Sequence, residues 1–216
     1  TYTRSGENRV KRRPRIGIIC LLAQSAEAST QRSNAPIRLA GAPPSMPELP
    51  EVETVRIGLQ PVMEGARIER FAARLSGRRI VSLSRRAKYL LAELDDGTVL
   101  VMHLGMSGSF RIESDGGRTI GGRTYHPRST LSAHDHVVFH LSSGATVIFN
   151  DPRRFGLMDL VPRAELDGCR HFRDVGIEPL GNAFDAGALA RLFAGRAAPV
   201  KAALMDQRLI AGIDNI

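Results

Sequence analysis

Cysteine is scarce in this chain. Only two cysteines, Cys20 and Cys169, occur among 216 residues, and neither belongs to a CxxC pair. A disulfide framework requires several cysteines, and a closed structural zinc site requires Cys or His ligands at characteristic spacings. The sequence encodes neither in the part that is present, and its cysteine usage fits a protein of the reducing cytoplasm.

Long hydrophobic runs are also lacking. The apolar run 16–23 has eight residues, whereas a membrane-spanning helix needs about 20. It follows the basic segment KRRPR at 11–15, and the two together imitate the front of a signal peptide. Because the Ser-, Ala- and Pro-containing segment 23–45 encodes no core, we expect residues 1–45 to be a disordered extension or an upstream translation artefact rather than an export signal.

Acidic residues are too few to balance the basic ones, and the net charge is +8. Residues 1–45 hold 8 of the 30 Lys and Arg residues and 2 of the 22 Asp and Glu residues, so only +2 remains after residue 45. Bulk charge therefore does not predict a nucleic-acid partner. A basic cluster without acidic residues consists of Arg78, Arg79, Arg85, Arg86 and Lys88. Such a cluster is usually a solvated face, and it is also a candidate nucleic-acid surface.

The hydrophobic pattern after Met46 predicts a helix followed by strands. Pro50 can open a helix because its missing N–H would be unpaired in the first turn anyway. Apolar residues then recur at spacings of three and four, which predicts a buried stripe ending near Gly65. The stripe consists of Val52, Val55, Leu59 and Met63. Two hairpins are predicted, at 89–94 with 99–104 and at 136–141 with 146–150, and a short strand at 155–161.

These elements predict an α+β fold, in which one leading helix accompanies an antiparallel β-sandwich over residues 46–180. From Asp185, a candidate N-cap, the pattern becomes helical again. The apolar positions are Leu189, Leu192 and Phe193, followed by Val200, Leu204 and Leu209. We expect residues 181–216 to begin a separate helical domain.

Five motifs carry a resemblance to a known family. They are MPELPEVETV at 46–55, RRAKYLL at 85–91, HLGMSGSFRI at 103–112, HDHVVF at 134–139 and DPRRFG at 151–156. In this order they closely resemble formamidopyrimidine-DNA glycosylase, a bacterial enzyme that excises oxidised purines. The resemblance covers Met46 to the end of the chain, but only the front part of the family's length. It implies a catalytic β-sandwich and the truncated start of a helix-two-turn-helix DNA-binding domain.

The resemblance implies that Pro47 is the nucleophile of a glycosylase with lyase activity. As a first residue it would carry a free secondary amine, and N-terminal amines titrate near ~7.7–8.0, below lysine at ~10.4. The amine can attack the anomeric carbon of deoxyribose, and the resulting iminium permits base loss and then β- and δ-elimination. As the sequence is written, Met46 acylates this nitrogen and Pro47 is a loop proline. We therefore expect the functional protein to begin at Met46 and to lose it.

Glu48 and Lys88 are the other catalytic candidates. By resemblance, Glu48 protonates the sugar ring oxygen, and its adjacency to Pro47 makes the required hydrogen-bond reach feasible. The alternative is an acid that interacts with the dipole at a helix start. By resemblance, Lys88 contacts the phosphate next to the lesion and donates a proton for β-elimination. The alternative for Lys88 is a surface lysine that flanks a strand.

The resemblance also implies a set of DNA contacts. The DNA-binding positions are His134, Arg153, Arg196 and Asn215, and the trio that fills the gap left by an extruded base is Met106, Arg153 and Phe155. The alternatives are a turn residue for His134 and core packing for the apolar wedge residues. Asp214 stands where the family has glycine, which weakens the match at Asn215. A zinc site at His134 and His136 lacks further ligands nearby.

We therefore expect a cytoplasmic monomer that binds double-stranded DNA with oxidised purines or abasic sites. We expect no membrane association and no cofactor in this chain, because the resemblance places zinc in a finger beyond residue 216. Two alternatives stay open, namely a catalytically silent DNA-binding module and an endonuclease VIII-like glycosylase for oxidised pyrimidines. Because Pro47 is blocked and the chain stops at Ile216, we expect the 216-residue product to have little or no glycosylase activity.

Overall fold

The computed structural model describes residues 47–70, 75–114, 117–121 and 132–213. The predictions for residues 1–45, Asp214 and Asn215 lie outside these ranges. Within them, no helix combines the length and the apolar content that crossing a bilayer requires.

Helix α1 (Leu49–Met63) begins directly after its N-cap, Glu48, and Pro50 lies in its first turn as predicted. The backbone N–H of Glu48 donates to the carboxylate of Glu51 at 3.1 Å, so a glutamate of the first turn accepts a hydrogen bond from the N-cap residue. The buried residues of α1 are Leu49, Val52, Val55, Leu59 and Met63, which confirms the predicted stripe.

Nine strands in the described ranges form two antiparallel sheets. They are β1 (Ile68–Arg70), β2 (Ile80–Arg86), β3 (Tyr89–Leu94), β4 (Thr98–His103), β5 (Ser109–Ser114), β6 (Gly117–Gly121), β7 (Asp135–Leu141), β8 (Thr146–Asn150) and β9 (Leu157–Pro162). The first sheet has the order β1-β7-β8-β5-β6, and the second has the order β2-β3-β4-β9. The α+β fold with an antiparallel sandwich and a leading helix is confirmed, as are both hairpins.

The principal core lies between the two sheets and is closed by α1. Alternate residues of the second sheet point into it, such as Leu90 and Leu100, and they meet Phe110 and Phe139 of the first sheet. The neighbouring residues Leu91, Val99, Val101 and Val161 point to the opposite face, where Leu166 and Phe172 cover them. The second sheet is therefore buried on both faces, which explains the nearly continuous apolar runs of β3 and β4.

Two short helices follow the sandwich. Helix α2 (Ala186–Phe193) is capped by Asp185, whose side chain accepts a hydrogen bond from the Ala188 N–H at 2.6 Å, so the predicted N-cap is confirmed. Helix α3 (Val200–Met205) ends earlier than predicted. The prediction that the helical pattern runs through Leu209 is wrong, because the backbone becomes extended at Asp206 and Leu209 packs from the following turn.

A connecting segment, residues 176–178, joins the sandwich to these helices. Ile177 forms an isolated parallel bridge with Ile210, and the Gly176 N–H donates to the carbonyl of Gln207 at 2.8 Å. Gly176 has no room for a side chain, because an added Cβ would lie 2.3 Å from the backbone of Leu209. The connecting segment is thus packed tightly against the chain that follows α3.

Candidate active site

The start of α1 meets the turn between β2 and β3. Pro47 is buried and immediately precedes Glu48. The register of the two strands pairs Arg86 with Tyr89, which leaves Ala87 and Lys88 as a two-residue turn. The Lys88 Nζ lies 3.5 Å from the Glu48 Oε2, and the side chains of Lys88 and Glu48 are 8% and 24% exposed. The structure therefore brings together the predicted acid and the predicted lysine beside Pro47.

This arrangement is suited to proton transfer. An ammonium and a carboxylate at this separation can both reach one substrate group, either directly or through a single water. Their positions are set by regular structure, since Glu48 caps a helix and Lys88 belongs to a tight hairpin. A surface lysine that merely flanks a strand would be largely exposed, whereas Lys88 is buried.

Arg85 ties the hairpin to α1. Its Nε donates to the Glu53 Oε2 at 3.0 Å, and its Nη1 donates to the carbonyl of Ala87 at 2.7 Å. Arg56 donates to the same carboxylate, and mainly for this reason the pKa of Glu53 is lowered, with Arg85 contributing and burial opposing. In the sequence Arg85 is only a member of a basic cluster. In the fold its side chain is 8% exposed and joins two elements of the site.

His103 is a neighbour of the site that the sequence did not assign. It lies opposite Tyr89 in the β3–β4 pairing, with ring centroids 4.7 Å apart, and its Nδ1 accepts the Gly105 N–H at 3.0 Å. Burial lowers the pKa of His103, and the charges of Lys88 and His171 lower it further. A neutral imidazole therefore lies near the Lys88 ammonium. His103 begins the HLGMSGSFRI motif, and this position is the sequence feature that could have identified it. No spacing rule predicts that it lies near Lys88.

Two loops bring the predicted wedge residues to one place. Phe155 is 56% exposed, and the guanidinium carbon of Arg153 lies 4.9 Å from the centre of its ring. Core packing is therefore excluded for Phe155. It also does not begin the predicted strand 155–161, because β9 starts at Leu157. Gly105, next to half-buried Met106, touches the Phe155 backbone so closely that an added Cβ would lie 2.4 Å from it.

Asp151 fastens these two loops together. Its carboxylate is buried and accepts hydrogen bonds from the Ser107 hydroxyl at 2.5 Å and from the Gly156 N–H at 2.7 Å. The Ser107 Oγ in turn accepts the Arg153 N–H at 3.1 Å. Asp151 therefore fixes the backbone on both sides of the exposed side chains of Arg153 and Phe155.

The remaining predicted DNA contacts are arranged differently. His134 ends a short 3-10 turn (Ser132–His134), and its carbonyl accepts the Asp151 N–H at 2.9 Å, so it borders the loop of Arg153. Arg196 is exposed, and its Nε donates to the carbonyl of Leu192 at 2.7 Å, at the end of α2. No contact in the described ranges joins Arg196 to the loops, and Asn215 lies outside them. The described residues also contain no group of three or more His, Cys, Asp or Glu that could hold a metal ion.

Known proteins match most of the chain. Residues 46–158 match the family model described as formamidopyrimidine-DNA glycosylase N-terminal domain. The formamidopyrimidine-DNA glycosylase of Rhodopseudomonas palustris strain HaA2 is 58% identical over 186 residues, covering 79% of this chain and 64% of the relative. That of Methylocella silvestris is 57% identical over 187 residues, covering 79% of this chain and 63% of the relative.

Solved structures agree with these relatives. The MutM (Fpg) protein of Thermus thermophilus has 38% identity and a TM-score of 0.62, covering 79% of this chain and 61% of that one. Lactococcus lactis Fpg in complex with DNA containing an abasic site has 29% identity and a TM-score of 0.64, covering 79% and 64%. The chain spans about 64% of the length of the Rhodopseudomonas relative. Since the family model matches more than half of its residues, this chain belongs to the formamidopyrimidine-DNA glycosylase family.

Proposed function

We propose that this chain belongs to a base-excision repair enzyme that removes oxidised purines and cleaves the resulting abasic strand. The observation that carries the proposal is the 3.5 Å contact between Lys88 and Glu48 beside Pro47. Structures of Lactococcus lactis Fpg contain DNA with an abasic site or with a Fapy-dG lesion. We extend this substrate class, oxidised purines and abasic sites in double-stranded DNA, to the present chain.

The proposed reaction begins when the free imino nitrogen of Pro47 attacks C1′ of the damaged nucleotide. The new N–C bond replaces the bond to the base, which leaves with the bonding electrons and takes up a proton. The Glu48 carboxylate takes the N–H proton of the alkylated Pro47 nitrogen and donates it to the ring oxygen. The sugar ring opens, and an iminium ion forms between Pro47 and C1′.

The iminium makes the proton on C2′ acidic. Loss of this proton to water expels the 3′ phosphate in β-elimination, and the leaving phosphate oxygen takes a proton from Lys88. Loss of the C4′ proton to water then expels the 5′ phosphate in δ-elimination. Hydrolysis of the remaining iminium regenerates the amine of Pro47. In this scheme the ammonium of Lys88 also holds the phosphate next to the lesion, and electrostatic contact of this kind positions DNA without reading its sequence.

The exposed loops supply the proposed means of base extrusion. Phe155 and Met106 serve as apolar wedges, and Arg153 pairs with the base left without its partner. The contact of the Arg153 guanidinium with the Phe155 ring supports this assignment, because it presents both groups on the same exposed loop. His134, at the border of this loop, and Arg196 are proposed as phosphate contacts.

Borohydride trapping tests the nucleophile. The full chain and a form that begins at Pro47 are each incubated with duplexes containing 8-oxoguanine or a ready-made abasic site, and covalent adducts are counted after reduction. The full chain is the control, because it contains the same residues 47–216 preceded by residues 1–46, which acylate the Pro47 nitrogen. We expect trapping on the abasic duplex only with the form that begins at Pro47. Equally strong trapping by the full chain would contradict the proposed nucleophile.

A further inference from the structure

The turn that carries Lys88 has an unusual backbone. Ala87 has φ of 49°, a left-handed conformation that residues with a Cβ seldom adopt. The turn is also short, because Arg86 and Tyr89 are already paired as strand neighbours. A conformation of this kind persists only where surrounding groups hold it in place.

Two side chains hold the backbone of Ala87 from both sides. The Ala87 N–H donates to one carboxylate oxygen of Glu178, and its carbonyl accepts a hydrogen bond from the Arg85 Nη1 at 2.7 Å. The same Nη1 lies 3.1 Å from the other oxygen of Glu178. The Glu178–Arg85 pair therefore satisfies both polar groups of Ala87 with charged partners, whose hydrogen bonds are stronger than neutral ones.

Glu178 belongs to the connecting segment, 91 residues away from Ala87 in the sequence. Its neighbour Ile177 donates to Leu209 at 3.0 Å and accepts from Ala211 at 2.8 Å. The next residue, Gly212, packs against Leu49, because an added Cβ would lie 2.5 Å from the Leu49 Cδ1. The chain that follows α3 therefore contacts the start of α1 directly. It also binds Ile177, whose neighbour Glu178 contacts the turn of Lys88.

We propose that Glu178 is a positioning residue that holds Lys88 against Glu48 by clamping the backbone of Ala87 together with Arg85. This inference rests on the proposed function, which gives Lys88 its role in elimination. Glu178 acts through the turn, since its hydrogen bonds join the Ala87 N–H and the Arg85 guanidinium. The same clamp links the chain that follows α3 to the turn of Lys88, because Leu209 and Ala211 hold Ile177, the neighbour of Glu178.

Lysine labelling on the full chain tests the clamp without catalysis. The chain has only three lysines, Lys11, Lys88 and Lys201. Each can be followed by peptide mass spectrometry during acetylation, and exposed Lys201 is the internal reference. The variant is Glu178→Gln, which keeps the size of the side chain but places an amide where Arg85 requires a carboxylate. The matched control is Glu165→Gln, which alters an exposed carboxylate.

We expect the acetylation rate of Lys88, relative to Lys201, to rise at least about fivefold in Glu178→Gln, since losing a charge-assisted hydrogen bond opens a local structure by such factors. The rate should stay unchanged in Glu165→Gln. Thermal melting of each variant establishes that the chain is folded. A folded Glu178→Gln chain with an unchanged Lys88 rate would overturn the proposal, because the turn would then hold without Glu178.

A catalytic comparison distinguishes a specific effect of Glu178 on Lys88 from a general effect on the stability of the fold. It uses the form that begins at Pro47, which retains every residue that the structure describes. With an abasic duplex, Glu178→Gln should keep the initial rate of borohydride trapping and slow strand cleavage about tenfold, in the range of general acid–base contributions. An equal fall in trapping and cleavage would overturn the positioning role. Absence of trapping by the parent form would refute the proposed function instead. The acetylation rate of Lys88 would still show whether Glu178 holds the turn.

Discussion

The fastening of the two exposed loops by Asp151 yields a quantitative prediction. Asp151→Ala removes a buried carboxylate that accepts hydrogen bonds from the Ser107 hydroxyl and the Gly156 N–H. Asp151→Asn keeps one acceptor oxygen, which can still serve Gly156, while its amide must replace the other contact. The two variants therefore remove different shares of the same interaction.

The magnitude follows from the two bonds. A hydrogen bond to a charged group contributes about 1.5–3 kcal/mol, and relief from burying the carboxylate offsets part of the loss. We therefore expect Asp151→Ala to lower the free energy of unfolding by about 3–4 kcal/mol, and Asp151→Asn by about half of that. For a domain of this size the alanine variant should melt about 6–16 °C below the parent.

Urea denaturation followed by circular dichroism measures these differences, with Asp95→Ala as the control because Asp95 is an exposed turn residue. The control should stay within about 0.5 kcal/mol of the parent. If Asp151→Ala were equally close to the parent, the carboxylate would contribute no net stability and the loops would be held by other contacts. A loss in the asparagine variant as large as in the alanine variant would show that charge, rather than the Gly156 contact, is decisive.

Three further changes probe the site. Phe155→Ala should reduce processing of a lesion duplex while sparing cleavage of a ready-made abasic site, and equal activity on the lesion duplex would refute its wedge role. Gly105→Ala should cost about 1–3 kcal/mol in thermal denaturation, because φ is +64° and the Phe155 backbone occupies the space of the new methyl group. The pKa of His103 is lower in the folded chain than in the unfolded chain, so as the pH falls the imidazole becomes protonated first in the unfolded chain. The free energy of unfolding should therefore fall as the pH drops below about 6.5 and level off below the folded pKa. His103→Asn should flatten that pH dependence in urea titrations, and an unchanged slope would assign it to other groups.

Local patterns were sufficient to predict α1 and both hairpins. The stripe from Val52 to Met63 has helical spacing, and each hairpin has turn residues between apolar runs, so neighbours in sequence determine these elements. Strand β2 was missed because its second half, Ser84 to Arg86, is polar and was read as part of a basic cluster. In the fold Ser84 is exposed, whereas the Arg85 side chain is 8% exposed and lies at the site.

The candidate site was predictable only where motifs named its residues. Lys88 and Glu48 were each identified as catalytic candidates by resemblance, and the fold brings them into contact. Glu178 carried no signal, because its contacts with Arg85 and Ala87 span more than 90 residues and arise only when the connecting segment packs onto the hairpin. The role of Arg85 was hidden for the same reason, since a basic run does not reveal which member becomes buried.

The direct entry of the chain into α1 has a consequence for reactivity. Chain termini usually fray, but Pro47 is buried and only Glu48 separates it from a helix whose first turn is already hydrogen-bonded. An amine at this position has few rotatable bonds, so it samples few orientations before it reaches a sugar carbon. Such preorganisation raises effective molarity, so the same anchoring that buries Pro47 would speed the attack of its nitrogen once that nitrogen is free.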